Sequence, residues 1–314
     1  MQPLRKNVAI AVDGGGIKGV IVTRALSILE KALGTSSHDL FRLAAGTSTG
    51  SIISAGIAVG LSARELDQLY ADLGGAVFKK TLRSALWPLT CYRYEQDTLS
   101  ALLKLYLGGG NLGDFWSASP ATDVVITTFD LVDNHTRFIK PWKEEYRAWP
   151  VVKAVLASST VPTYFPVVEG RFIDGGVGAY ANPAYLAAYE MCFCLGWDAR
   201  ESTLISLGTG RGPREFDAGQ ANKLHAWNWI EPILGAFLQS ADDQQVHLVK
   251  TFFEGLDFRR FQIDLKQPIE MDEPSQIPAL QVYGDAMGQM ILNDEFDRSM
   301  AIEATQAPAA GGFV

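Results

Sequence analysis

Val8-Ala9-Ile10-Ala11-Val12-Asp13-Gly14-Gly15-Gly16-Ile17-Lys18-Gly19 decides the fold. Val8 to Val12 is a short apolar run rich in β-branched residues, which reads as a strand. Asp13 ends it, and three glycines follow. From about Gly19 to Leu33 the apolar spacing changes to a helical one, and Gly34 stands where a left-handed C-cap is wanted. A strand, a glycine turn and a helix form the repeating unit of a parallel α/β sheet.

The unit recurs. Leu40 to Ala45 reads as a second strand, ending in the turn Gly46-Thr47-Ser48-Thr49-Gly50. Ser51 to Val59 is apolar on every side, which predicts a buried helix. Ser62 with Glu65 three residues later predicts a capping box at the next helix. Further strands are expected over Asp123–Phe129, Thr136–Ile139, Arg171–Ile173 and Thr203–Leu207. Helices are expected over Leu99–Leu107, Pro150–Ala157 and Pro183–Cys194, with a long one from about Asn222 to Glu254, interrupted near Pro232. The expected class is α/β with a largely parallel sheet. One domain is expected over residues 1–302, followed by an Ala/Pro/Gly-rich disordered tail over 303–314.

Three segments carry chemistry. Gly46-Thr47-Ser48-Thr49-Gly50 fits G-x-S-x-G, in which a sharp strand-to-helix turn lifts a serine hydroxyl clear of its neighbours. In Gly14-Gly15-Gly16, bare main-chain N–H groups can converge on one anion or oxyanion. Gly14 to Gly19 also satisfies the dinucleotide-binding glycine pattern, but no strand ending in an acidic ribose ligand follows at the required distance. A P-loop is excluded, because Gly-Lys-Ser/Thr does not occur at the needed spacing. No histidine suits a triad: His38, His135, His225 and His247 read as surface or helix residues, the last two on the expected long helix. Asp174, at a strand end before Gly175-Gly176, is the better base; a carboxylate can take a serine proton directly if burial raises its basicity. An ordinary Asp-Gly-Gly turn is the competing reading of that segment alone.

Taken in order, Asp13 to Gly19, Gly46 to Gly50 and Asp174-Gly175-Gly176 resemble the patatin-like phospholipase family. Ala157-Ser158-Ser159-Thr160-Val161-Pro162-Thr163-Tyr164-Phe165-Pro166 and Ser206-Leu207-Gly208-Thr209-Gly210 are similar to two further family segments, so the resemblance spans about residues 6 to 260. It implies a three-layer α/β/α fold related to the cytosolic phospholipases. It also implies a Ser48–Asp174 dyad without histidine, an oxyanion hole at Gly14, Gly15 and Gly16, and chemistry without metal or cofactor. Lys18 stands where the family carries Arg or Lys, between two roles: support of the glycine loop or contact with a lipid phosphate. Phe78 to Tyr94 matches only at scattered residues. Its bases and aromatics fit a lipid-contacting lid less well than core aromatics flanked by solvated lysines.

The 314 residues carry a formal charge of −8, with 47% hydrophobic and 20% charged residues. That balance suits a large core and disfavours a nucleic-acid partner. Cys91, Cys192 and Cys194 form no disulfide framework and are expected as buried thiols. A signal peptide and a membrane span are not expected, which points to a cytoplasmic protein with at most peripheral membrane contact. The expected substrate is a lipid or acyl ester. Beside hydrolysis, acyl transfer through the same acyl-enzyme and non-catalytic lipid binding or storage stay open.

Overall fold

The structure is a computed structural model that describes residues 1–79, 91–118, 121–213, 219, 225 and 230–298. Seven strands form one sheet: β1 (Asn7–Val12), β2 (Leu43–Gly46), β3 (Asp123–Asp130), β4 (His135–Ile139), β5 (Phe172–Asp174), β6 (Ser202–Leu207) and β7 (Asp257–Phe261). Their order is β4-β3-β2-β1-β6-β7, with β5 also paired to β3. Strands β3, β2, β1, β6 and β7 are mutually parallel, while β4 and β5 run antiparallel to β3. The mostly parallel α/β/α architecture agrees with the expectation.

Period-two alternation divides the core. Val8, Ile10 and Val12 of β1 face one apolar cluster, and Ala9 and Ala11 face the other. The first face is thick. It packs α1 (Gly19–Leu33), α2 (Thr49–Ala58), α3 (Ala63–Ala76), α4 (Gln96–Leu107) and α5 (Val151–Ser159) with the later α8 (Ile277–Leu292). The second face is covered by α6 (Ala184–Tyr189) and α7 (Ile230–Phe252). Gly284 and Gly288 of α8 let it lie close on α1, since a Cβ at Gly288 would come 2.6 Å from Ile28 Cδ1.

Several expectations shift. Ser36 caps a short helix, Ser37–Leu40, by accepting the Asp39 N–H, so the second strand begins at Leu43 rather than Leu40. The capping box at Ser62 and Glu65 is present. The helix after Pro183 ends at Tyr189 and widens into a π-helical turn over Glu190–Cys194. The long helix is described over Ile230–Phe252 and runs unbroken through Pro232. His225 has no regular secondary structure and is exposed. The cysteines are not buried: Cys91 and Cys194 are exposed and Cys192 is intermediate, the last two lying in the π-helical turn. Phe78 and Tyr94 pack in the core, 5.5 Å apart between ring centroids, as the core-aromatic reading expects. Trp87 and Leu89 lie outside the described residues, as does the expected tail over 303–314. No helix among the described residues is long and apolar enough to cross a membrane.

Strand β7 and helix α8 lie beyond the last element read from the sequence. β7 supplies Arg260, buried at 1% exposure, which grips both Asp13 carboxylate oxygens at 2.9 and 2.5 Å, and also Ser206 and Asp242 at 2.9 Å. Asp242 in turn accepts from Asn182 at 2.6 Å. Replacing one partner of a buried ion pair strands the other in a low dielectric, at about 3–5 kcal/mol. Arg260→Leu is therefore expected to lower the unfolding free energy by about that amount, as measured by urea denaturation. A loss under about 1 kcal/mol would show that Asp13 does not depend on Arg260.

Candidate active site

Residues of β3 set the spacing of the site. Gly46, the last residue of β2, lies opposite Ile126, and Asp174, the last residue of β5, lies opposite Thr128. Both strands use the same edge of β3 and run toward each other, so their ends meet with one β3 residue, Thr127, between them. Thr127 Oγ1 shares a hydrogen bond of 2.7 Å with Thr47 Oγ1. A Cβ on Gly175 would collide with Thr127 Oγ1 and its carbonyl, so only glycine fits after Asp174.

The turn after β2 is strained. Ser48 has φ 54° and ψ −123°, and its backbone caps α2. Such a conformation costs about 1–3 kcal/mol in a non-glycine residue. A Cβ on Gly46 would strike the Gly50 carbonyl, and one on Gly50 would strike the Val12 carbonyl, so both flanking glycines are required by close approach. The Ser48 N–H donates to Ser158 Oγ at 2.9 Å, and the Ser48 carbonyl accepts from Ser51 N–H and Oγ at 2.9 and 2.6 Å.

The segment from Ala157 to Thr160 ties Ser48 and Asp174 to one frame. Ser158 holds the Ser48 backbone, and the Thr160 carbonyl accepts the Asp174 N–H at 2.9 Å. Thr128 Oγ1 is shared between the carbonyls of Ala157 and Ile173 at 2.7 and 2.8 Å. After Asp174, the Tyr180 carbonyl accepts from Thr47 Oγ1 at 2.5 Å, and the Ala181 carbonyl accepts the Gly14 N–H at 2.9 Å.

Ser48 and Asp174 are both buried, at 7% and 6% exposure. Asp174 Oδ1 accepts the Gly176 N–H at 2.8 Å. Its Oδ2 is buried with no partner at full hydrogen-bonding geometry, although the Ser48 hydroxyl is near enough to act on the carboxyl as a donor. The Ser48 hydroxyl and the Asp174 carboxyl are thus adjacent but not locked together. Burial pushes the Asp174 pKa up to about 6, with the Ser48 hydroxyl and the Gly176 N–H pulling against it.

The glycine loop divides its donors. Gly14 N–H is committed to Ala181, and the Gly14 carbonyl accepts from Thr209 Oγ1 at 2.6 Å. A Cβ on Gly15 would collide with that threonine, and Gly16 has φ +60°. The Gly15 and Gly16 N–H groups take no such partner among the described residues, and Gly16 and Ser48 line one cavity with Thr49, Ile52, Leu73 and Phe165. Lys18 follows in the 3-10 turn Gly16–Lys18; burial lowers its pKa, with Glu270 opposing.

Residues the sequence did not single out complete the site: Thr127, Ser158, Thr209, Ala181 and Arg260. Thr209 and Ser158 sat inside segments noted for resemblance, so their location was visible but their partners were not. None of the four histidines lines the cavity. His38 Nδ1 pairs with the Ile57 carbonyl, and His247 lies on α7. β2 ends in glycine, so the dinucleotide reading lacks its acidic strand end. Among the described residues no group of three or more His, Cys, Asp or Glu could hold a metal ion.

Residues 10–188 match the family model described as patatin-like phospholipase. The chain is 28% identical over 218 residues to an intracellular phospholipase A2 of Caenorhabditis elegans, covering 65% of this chain but only 19% of that protein. It is 27% identical over 300 residues to patatin-like protein 2 of Oryza sativa subsp. indica, covering 76% of this chain and 71% of that one. VipD from Legionella pneumophila, a crystal structure, aligns over 93% of this chain and 67% of its own, with TM-score 0.49 and 12% identity.

The raised pKa of Asp174 has a thermodynamic sign. Between the ordinary 3.8 and about 6 the folded state holds a proton that the unfolded chain has lost. Stability therefore falls as pH rises through that window, and the loss persists above it. Asp174→Asn removes the buried charge and is expected to raise stability near neutral pH by on the order of 2 kcal/mol, a gain that shrinks toward pH 4. Urea titrations at the two pH values check it, and a variant no more stable than wild type near neutrality would contradict the burial argument.

Proposed function

The chain belongs to the patatin-like phospholipase family, and from that premise we propose that it is a serine lipid acyl hydrolase acting through Ser48 and Asp174. The observation that carries this reading is the head-on meeting of β2 and β5 beside Thr127, which sets a buried carboxylate beside a strained serine that lines a cavity. Asp174 takes the proton from Ser48 Oγ as that oxygen attacks the acyl carbonyl. The developing oxyanion is received by the N–H groups of Gly15 and Gly16; one such donor is worth about 3–4 kcal/mol. Gly14 supports the hole through its bonds to Ala181 and Thr209 rather than donating to the oxyanion.

Collapse of the tetrahedral intermediate breaks the ester bond, and Asp174 returns its proton to the leaving alcohol. Water then attacks the acyl-Ser48 carbonyl, giving its proton to Asp174, and a fatty acid leaves as the Ser48 hydroxyl re-forms. The substrate class is an acyl ester of a lipid. The cavity beside Ser48, lined by Ile52, Leu73, Leu99 and Phe165, suits an acyl chain. Among protein groups, this scheme assigns the proton transfers to Asp174 and requires no histidine.

A fluorophosphonate probe and a p-nitrophenyl ester test it together. Wild type is expected to be labelled and to hydrolyse the ester, with kcat/KM rising as pH increases through about 6, where Asp174 ionises. Ser48→Ala is expected to lose labelling, and Asp174→Asn to lose roughly 10²–10⁴-fold in kcat. Undiminished labelling of Ser48→Ala would remove the mechanism.

A further inference from the structure

One wall of the Ser48 cavity comes from far along the chain, outside the residues 10–188 that match the family. Glu270-Met271-Asp272 crosses over the glycine loop between β7 and α8. The Met271 carbonyl accepts the Ile17 N–H at 2.8 Å. A Cβ on Gly16 would meet Met271 Cβ at 2.7 Å, so strap and loop touch as closely as a glycine permits. Met271 lines the cavity opposite residues of α2, α3 and α4.

Charge holds the strap at both sides of Met271. Asp272 Oδ2 accepts from Arg93 at 3.2 Å and from the Tyr94 hydroxyl at 2.8 Å, and the Arg93 guanidinium lies 4.4 Å over the Tyr164 ring. Glu270 places its negative charge near Lys18, the last residue of the turn that Gly16 opens. Upstream, Leu265 and Ile269 are buried at 3% and 6% exposure, and the Leu265 N–H donates to the Arg211 carbonyl at 2.8 Å. Methionine is flexible by itself. Here its Cα and Cβ are fixed by contacts before and after it, so the side chain can sweep only a limited space.

That space is small. The cavity measures about 40 Å³. An engineered apolar cavity that takes up benzene measures about 150 Å³, so this one holds only a short stretch of acyl chain without moving a wall.

Resting on the hydrolase reading, we propose that Met271 is a specificity-determining residue that restricts the acyl site to short chains, and that Asp272 is the positioning residue that keeps it there. A longer chain that runs toward the strap must displace it, which means breaking the Asp272 contacts to Arg93 and Tyr94 or the Met271 contact to the glycine loop. The acyl-length filter is thus built by residues distant in sequence from the serine and aspartate they serve.

The test compares kcat/KM on p-nitrophenyl laurate and p-nitrophenyl butyrate, with fluorophosphonate labelling and a thermal melt for each protein. Wild type is expected to label and to favour butyrate. Met271→Ala is expected to raise the laurate-to-butyrate ratio about tenfold, as an enlarged apolar site discriminates less against added methylenes. Asp272→Asn keeps the shape but removes the ion pair, and is expected to raise the ratio about threefold through laurate KM rather than kcat, a split that general damage to the fold would not produce. Should Met271→Ala melt far below wild type, Met271→Val reads the same ratio with a smaller loss of packing. A folded, labelled Met271→Ala or Met271→Val protein with the wild-type ratio overturns the assignment of Met271. A wild-type ratio in Asp272→Asn overturns that of Asp272. Wild type that neither labels nor hydrolyses overturns the hydrolase reading, and this assignment with it.

Discussion

Two strand ends share one edge of β3, and the single residue between them, Thr127, sets the distance at which Ser48 and Asp174 face one another. A strand advances about 3.3 Å per residue, so a register change of one residue would move the carboxylate by that amount and turn its side chain to the other face. The remaining contacts protect this register. Thr47 and Thr127 share a hydrogen bond, Gly175 admits the threonine where any side chain would not, and Thr128 fastens β5 to the end of α5 through two carbonyls. Ser158 and Thr160 then hold the Ser48 and Asp174 backbones from the same short segment.

Such a site is not where the protein gains stability. Ser48 sits in a region of backbone space that disfavours side chains, Asp174 carries a buried oxygen with no full hydrogen bond, and Arg260 lies deep beside two acids. Each is unfavourable in isolation. The offset comes from the layers on either side of the sheet, where β1 contributes Val8, Ile10 and Val12 to one cluster and Ala9 and Ala11 to the other. Small side chains on the second face let α6 and α7 lie close, and the Tyr180 and Ala181 carbonyls that precede α6 reach the Ser48 turn and the glycine loop.

Segments whose residues state their own backbone needs were legible in sequence. Val8 to Val12 reads as a strand, Gly34 as a helix stop and Gly46 to Gly50 as a tight strand-to-helix turn; all three hold in the structure, where the strand is buried throughout. Asp174 was legible because glycines follow it at a strand end. The illegible part depends on partners remote in sequence. Asp257-Phe258-Arg259-Arg260-Phe261 has the look of a surface segment, yet both arginines are buried, Arg259 against Asp257 and Asp294 and Arg260 against Asp13 and Asp242. Glu270-Met271-Asp272 likewise resembles a solvated loop until Arg93, Tyr94 and Ile17 come within reach. Gly14 looked equivalent to its two neighbours, and its bonds to the Ala181 carbonyl and the Thr209 hydroxyl set it apart. The cysteines misled because burial was assigned by residue type, whereas the π-helical turn carries Cys192 and Cys194 to the edge of the molecule.

The bond between Asp13 and Arg260 spans 247 positions of chain. Proteins are made from the N-terminus at about 5–20 residues per second, so the first glycine turn leaves the ribosome many seconds before the arginine that anchors it. Until β7 docks, Asp13 has no guanidinium and the turn beside it has no strap. The nascent chain can assemble much of its sheet and still lack a set glycine loop, so the last strand added is also what secures the first.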